Sequence, residues 1–109
     1  MMDFSKKKCI PCEGGVSPMK EEEVIKNLEE LIGWSYIDGY LVKQFDFKNY
    51  DETLSFFNAT TWISKIEDHH PDILIKYDSC KISYKTHAIN GISENDFICA
   101  AKLNRIQEI

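Results

Sequence analysis

The length and charge of the chain set the first limits on what it can be. It has 109 residues, 43% of them hydrophobic, which is enough for one compact domain. Its formal net charge is −5 at pH 7, whereas nucleic-acid-binding proteins usually carry a basic stripe, so we expect no nucleic-acid partner. The sequence contains no secretory h-region and no apolar run of the roughly 18 residues that span a bilayer. We therefore expect a cytoplasmic protein with no membrane partner.

The segment over residues 1–17 has the composition of a loop, with one proline, two glycines and mixed charges. We expect a flexible N-terminal arm there, followed by a single domain over residues 18–109. Cys9 and Cys12 form one C-x-x-C pair within the arm. Because a zinc site needs two more ligands and no second pair follows, incidental reduced thiols are favoured over metal or redox chemistry.

Apolar periodicity predicts three helices in this domain. The first begins at an N-cap, Ser17, with proline at the first helical position, and ends at Gly33. The second covers Tyr50–Glu67, and the third follows Ser93, with Asp96 in the place of a capping-box acid. The residues predicted on one face of the second helix are Leu54, Phe57, Thr61, Ile63 and Ile66.

Alternation of apolar and polar residues predicts two β-hairpins, one around Gly39 and one around Asp78-Ser79. The four strands are predicted at residues 34–38, 40–47, 73–77 and 80–84. The order helix, two strands, helix, two strands, helix indicates an α+β domain, α-β-β-α-β-β-α. Its four-stranded antiparallel sheet would carry the three helices on one face. The other face is either solvated or covered by another subunit.

The main chemical clue is that all three histidines, His69, His70 and His87, lie in one short stretch. A two-residue turn in the second hairpin pairs Ile75 with Ile82 and places His70 opposite His87. Both segments then end at the same edge of the sheet. Imidazole exchanges protons near neutral pH, so this arrangement indicates acid–base chemistry.

Structural explanations of the same residues stay open at this point. His69 and His70 fit the C-terminal end of a helix that Pro71 stops, where cationic side chains favour the dipole. Asp96 fits a helix cap alone. An all-histidine zinc site is a further alternative, although adjacent histidines do not easily face one ion from regular structure. The residues by themselves do not decide between a structural role and an active site.

A family signature favours an active site over a purely structural role. The chain resembles the pterin-4a-carbinolamine dehydratase family in five elements, which are Lys65, His69-His70-Pro71, Tyr77, His87 and Asp96. Gly33-Trp34, residues 43–48 and the Cys-Ile-Pro-Cys-Glu-Gly-Gly stretch also resemble family segments. The resemblance therefore covers nearly the whole chain.

The resemblance implies an activity, a site and an assembly. The implied reaction is the dehydration of 4a-hydroxytetrahydropterin to quinonoid dihydropterin, in recycling of the pterin cofactor of aromatic amino acid hydroxylases. His69 and His87 would flank the 4a position and His70 would orient the pterin, with no metal and no cofactor. The implied substrate-binding residues are Asp68, Pro71, Lys85, Thr86, Ala88, Asp96 and Trp34. A homodimer or homotetramer is expected, and a non-catalytic binding or assembly (coactivator) role on the same fold is the alternative.

Overall fold

Two β-hairpins separated by a long helix form the framework of the computed structural model, which describes residues 3–10 and 17–108. The helices are α1 over Glu21–Leu28, α2 over Tyr50–Glu67 and α3 over Glu94–Gln107, with 3₁₀ helices over Phe4–Lys6 and His87–Ile89. The strands are β1 over Ser35–Ile37, β2 over Tyr40–Asp46, β3 over Asp72–Ile75 and β4 over Ser79–Tyr84. This confirms the predicted α+β class and element order. Within the described ranges, no helix has the length and apolarity needed to cross a membrane.

The four strands form one antiparallel sheet in the order β1-β2-β4-β3. Leu41 pairs with Tyr84 across the two central strands, and both side chains are fully buried on the helix-covered face. Gln44 pairs with Lys81 on the opposite face, where both are exposed. One face is therefore packed and the other is polar, as an antiparallel sheet allows.

The first hairpin turns through Asp38 and Gly39, which both have a positive φ, of 51° and 85°. Two consecutive left-handed residues make the type I′ turn, whose twist matches that of paired strands. An aspartate followed by glycine is a favourable pair for this turn. The predicted hairpin is confirmed.

The second hairpin is present, but its predicted register is wrong by two residues. Ile75 pairs with Cys80, and the loop consists of Tyr77 and Asp78. Because the shift is an even number of residues, every side chain keeps its predicted face. The loop position depends on tertiary bonds, since the Asp78 carbonyl accepts the Phe47 N–H at 2.8 Å.

The first helix starts later than predicted. Ser17 is not its N-cap, because the chain stays extended until Lys20 and α1 begins at Glu21. The Met19 N–H donates to the Ile92 carbonyl at 2.8 Å, so this segment is held by the loop before α3. A backbone contact distant in sequence therefore replaces the local capping signal.

The second helix has the predicted bounds, but its buried face is Thr53, Phe56, Thr60 and Ser64 instead of the predicted set. The two buried threonine hydroxyls donate to carbonyls, for example Thr60 Oγ1 to the carbonyl of Phe57 at 2.7 Å. Threonine is tolerated in the core on that condition. Ile66, which was predicted on one face with Leu54 and Phe57, is 60% exposed.

The described part of the N-terminal arm packs against α3 through Phe4. Phe4 is 3% exposed and stacks on Phe97, with ring centroids 5.3 Å apart. This buried ring contributes to attaching the arm to α3. Cys12 and the rest of residues 11–16 lie outside the described residues.

Candidate active site

A pocket of about 640 Å³ lies between the end of α2, the segment that follows β4 and the N-terminal arm. His69, His70 and His87 all line it, so the histidines that the sequence grouped do share one site. The volume lies within the usual range for small-molecule sites. The residues that line the pocket are Cys9, Ile10, Ile66, Glu67, Asp68, His69, His70, Lys85, Thr86, His87, Ala88 and Asn95.

Two adjacent histidines reach the pocket because α2 ends abruptly. Asp68 adopts a left-handed conformation with φ 51°, and the His69 N–H still donates to the Ser64 carbonyl at 3.3 Å. This ending turns the chain out of the helix before Pro71 leads into β3. His69 is consequently largely buried, while His70 is exposed.

His87 reaches the same pocket by a route that the hairpin register did not predict. The ladder between β3 and β4 ends at the pair Asp72–Ser83, so His70 and His87 are not strand partners. His87 instead begins a 3₁₀ helix within a loop that is closed by paired hydrogen bonds between Thr86 and Gly91, at 2.9 and 3.3 Å. The predicted pairing was wrong, while the expected meeting of the two segments at one end of the sheet is confirmed.

The carboxylate of Asp96 fixes the position of His69. Asp96 is completely buried, and its Oδ1 lies 2.7 Å from His69 Nε2. Its Oδ2 accepts the Thr86 hydroxyl at 2.7 Å and the Ser93 N–H at 2.9 Å. With two other donors on the carboxylate, the His69 nitrogen that faces it is best assigned as a third donor. The imidazole then keeps Nδ1 as its unprotonated nitrogen.

The His69 ring is also held by packing. It stacks on Tyr84, with centroids 5.6 Å apart and planes within 6° of parallel. Tyr84 is fully buried, and this burial strongly raises the pKa of its phenol, which stays neutral. Among the described residues its hydroxyl has no hydrogen-bond partner. The His69 ring is therefore restrained by its hydrogen bond to the Asp96 carboxylate and by stacking on the neutral Tyr84 ring.

Comparison with known proteins identifies the family. A family model described as pterin 4 alpha carbinolamine dehydratase matches residues 17–106. The chain belongs to this family. It is 50% identical over 107 residues to a protein of Nitrosospira multiformis, covering 98% of this chain and 95% of the relative. It is 51% identical over 105 residues to one of Nitrosomonas europaea, covering 95% and 93%. Both relatives are provisionally named pterin-4-alpha-carbinolamine dehydratases.

A solved structure agrees with this assignment. The crystal structure of a transcriptional coactivator/pterin dehydratase from Brucella melitensis matches with a TM-score of 0.79 at 28% identity. The match covers 83% of this chain and 98% of that protein. Membership of the pterin carbinolamine dehydratase family supports a dehydratase function for the chain.

The other residues expected in a pterin dehydratase site fall into two groups. Asp68, Lys85, Thr86 and Ala88, to which the resemblance assigns substrate binding, line the histidine pocket. Asp96 lies behind the pocket, with its carboxylate on His69. The same carboxylate also caps α3, so Asp96 contacts both the helix end and a histidine.

Trp34 and Pro71 are not among the residues that line this pocket. Trp34 is 6% exposed in the core, where it packs on Phe45 and donates its indole N–H to Asn104 at 3.0 Å. Pro71 lines a neighbouring concavity. Trp34 therefore lies in the core between the sheet and α3, apart from the histidine pocket.

Sequence reasoning missed pocket residues of the arm, of the end of α2 and of α3. Cys9, Ile10 and Asn95 line the pocket, and so do Ile66 and Glu67 at the end of α2. The only available signal was the likeness of the arm to family members. Across residues 3–10 and 17–108, no three His, Cys, Asp or Glu side chains are grouped as metal ligands.

Proposed function

We propose that the protein dehydrates 4a-hydroxytetrahydropterins to quinonoid dihydropterins, as part of pterin cofactor recycling for aromatic amino acid hydroxylases. The observation that carries this proposal is the histidine pocket, in which His69 is held by the buried Asp96 carboxylate at 2.7 Å. His70 and His87 line the same space. A site with several proton carriers suits a reaction that consists only of proton transfers and loss of water.

The reaction balances without any redox partner. The substrate loses its 4a-hydroxyl as water and a proton from the adjacent ring nitrogen, and a C=N bond forms between the two atoms. A base must take the ring proton, and an acid must protonate the departing hydroxyl. Before the next turnover the base gives its proton to solvent and the acid takes one up from solvent. No step requires a metal ion or an organic cofactor.

His69 suits the role of base. Its Nε2 faces Asp96, so Nδ1 is the nitrogen that can accept the ring proton. The buried carboxylate then stabilises the imidazolium that forms. His87 approaches from the opposite segment and is exposed, so we assign it the protonation of the leaving hydroxyl. His70, exposed beside His69, is assigned to orienting the pterin ring.

The test is a dehydration assay on 4a-hydroxytetrahydropterin generated by an aromatic amino acid hydroxylase, followed by ultraviolet absorbance at neutral pH. We expect His69→Ala and His87→Ala each to slow the protein-catalysed step by ~10²-fold or more. Lys81→Ala, on the exposed sheet face, is the matched control and should behave as wild type. A chelator should leave the rate unchanged. Full activity in the double alanine variant would refute histidine catalysis.

We also propose that the protein forms a homodimer or homotetramer. Large apolar side chains are exposed on α2, with Trp62 at 62% and Ile66 at 60%. Trp62 and Ile66 are four residues apart and so share one helix face, and a contiguous apolar face that includes Ile66 beside the histidine pocket favours an interface between subunits there. Light scattering at micromolar concentration should give a multiple of the 12.7 kDa chain mass. A monomer mass would contradict the proposal.

A non-catalytic role is the second candidate, because the Brucella protein is titled both coactivator and dehydratase. Such a role would not depend on the histidines. The non-catalytic role would be favoured over the enzymatic role by two results together. The wild type would not accelerate dehydration, and His69→Ala and His87→Ala would still bind the partner protein.

A further inference from the structure

We infer that the end of the N-terminal arm, Cys9 and Ile10, is a wall of the pterin pocket, and that Ile10 contacts the bound pterin while Asn95 positions Ile10. This inference rests on the proposed dehydratase function. It assigns a substrate contact to a segment outside the histidine signature.

The arm is attached to the turn of α2 that leads into the catalytic histidine. The Cys9 N–H donates to Glu67 Oε1 at 2.8 Å, and Lys102 Nζ donates to Glu67 Oε2 at 2.7 Å. The Glu67 side chain is only 4% exposed, so both contacts are shielded from water. Glu67 is two residues before His69, and the end of the arm therefore has a fixed position relative to that imidazole.

Asn95 holds the backbone of Ile10 through both of its side-chain groups. Its Oδ1 accepts the Ile10 N–H at 3.0 Å, and its Nδ2 donates to the Ile10 carbonyl at 2.6 Å. The Cys9 thiol lies against the same helix, 3.6 Å from the Cys99 sulfur. Asn95 directly precedes Asp96, so one turn of α3 positions both His69 and the arm.

The side chain of Ile10 is displayed on the pocket. Although its backbone makes two hydrogen bonds, 73% of the residue is exposed. Ile10 lines the space that contains the three histidines. An apolar side chain held open to solvent at a polar pocket suits the face of a flat heterocycle, because the ring would cover it on binding. The arm thus supplies the apolar contact and the histidines supply the proton transfers.

Ile10→Ser tests the contact, and Ile32→Ser is the matched control. Ile32 is also strongly exposed, at 83%, and it is not among the residues that line the pocket. We expect Ile10→Ser to raise KM by roughly threefold to tenfold with kcat within twofold of wild type, because the lost contact is made equally in ground and transition states. Binding of 7,8-dihydrobiopterin, measured by fluorescence quenching, should weaken by the same factor. Ile32→Ser should change neither quantity.

Asn95→Ala tests the positioning role. We expect the same rise in KM, together with faster amide hydrogen exchange at Ile10, a readout that loss of a mere surface contact would not give. Melting curves identify any variant that is destabilised as a whole. Unchanged KM and pterin affinity in Ile10→Ser, in a protein whose wild type is active, would overturn the arm inference and leave the dehydratase proposal intact. An inactive wild type that binds no pterin would overturn both.

Discussion

The replacement of Asp96 by asparagine tests the site most directly, because the two side chains have the same shape. In the native site Oδ2 accepts two donors, the Thr86 hydroxyl and the Ser93 N–H. Asparagine has only one oxygen, and these two donors require it at that position. Its NH₂ group then faces His69 Nε2, which must become an acceptor. The proton of the imidazole moves to Nδ1, the nitrogen that the proposed mechanism uses as the base.

The size of the effect follows from the tautomer. To react, His69 of Asp96→Asn must return to the native tautomer, with its N–H facing the asparagine NH₂. This loses one hydrogen bond and leaves a buried donor unsatisfied, which costs about 2–4 kcal/mol. The expected fall in kcat is therefore roughly 30-fold to 1,000-fold. Stability should fall less, by about 1–2 kcal/mol, because the helix cap and the Thr86 bond survive in neutral form.

The measurements are single-turnover dehydration rates, a thermal melt and ¹⁵N chemical shifts of the histidine rings, which distinguish the two tautomers. Asp46→Asn is the control, since Asp46 is an exposed carboxylate at the other end of the sheet. It should keep the wild-type rate. A kcat of Asp96→Asn within threefold of wild type, in a protein whose His69 has changed tautomer, would refute the assignment of His69 as base.

Two further predictions concern stability. Gly33 and Gly39 both have φ of +85°, but a Cβ on Gly33 would lie 2.8 Å from Lys43 Cε, whereas a Cβ on Gly39 meets nothing within 4 Å. Lys43 cannot move away without weakening the bonds from its Nζ to the Ile32 carbonyl and to Asn104 Oδ1. Gly33→Ala should therefore lower the melting temperature more than Gly39→Ala, which shows only the backbone strain of about 1–2 kcal/mol; equal losses would contradict this. Burial alone would raise the pKa of Glu67, but the hydrogen bonds from the Cys9 N–H and from Lys102 have the larger combined effect. The pKa of Glu67 is therefore lowered. The arm contact is thus fully present above the ordinary value of 4.5 and is lost as pH falls through the lowered pKa. Hydrogen exchange of the arm amides should therefore become faster as the pH falls through that range. Glu67→Gln, which has no carboxylate to titrate, should show no such step.

Much of the fold is encoded in local signals that the sequence displays openly. The bounds of α2 follow from Asn49, whose side chain accepts the Glu52 N–H at 2.9 Å, and from apolar periodicity. Ser93 and Asp96 cap α3 as their spacing predicts. Gly39 gives the first hairpin turn. These features involve neighbours within four residues, where sequence patterns are most informative.

The misplaced features depend on contacts between distant residues. The second hairpin loop shifts by two residues because the neighbouring chain bonds the Asp78 carbonyl through Phe47. The start of α1 is set by the Met19 bond to Ile92. The position of the arm beside the pocket depends on the packing of Phe4 against Phe97 of α3. No pattern within the arm specifies the distant helix against which it packs.

Asp96 shows why the structural and the chemical explanations of the site need not compete. The sequence pattern gives Asp96 a place in a helix cap, and the family resemblance adds a role at the site. In the structure its two oxygens divide these roles, since Oδ2 accepts the Ser93 N–H of the cap and Oδ1 contacts His69. The cap fixes the direction of the carboxylate, and burial between α3 and the β4 loop keeps water from replacing the imidazole. The stability of this helix end is therefore what holds His69 in position for proton transfer.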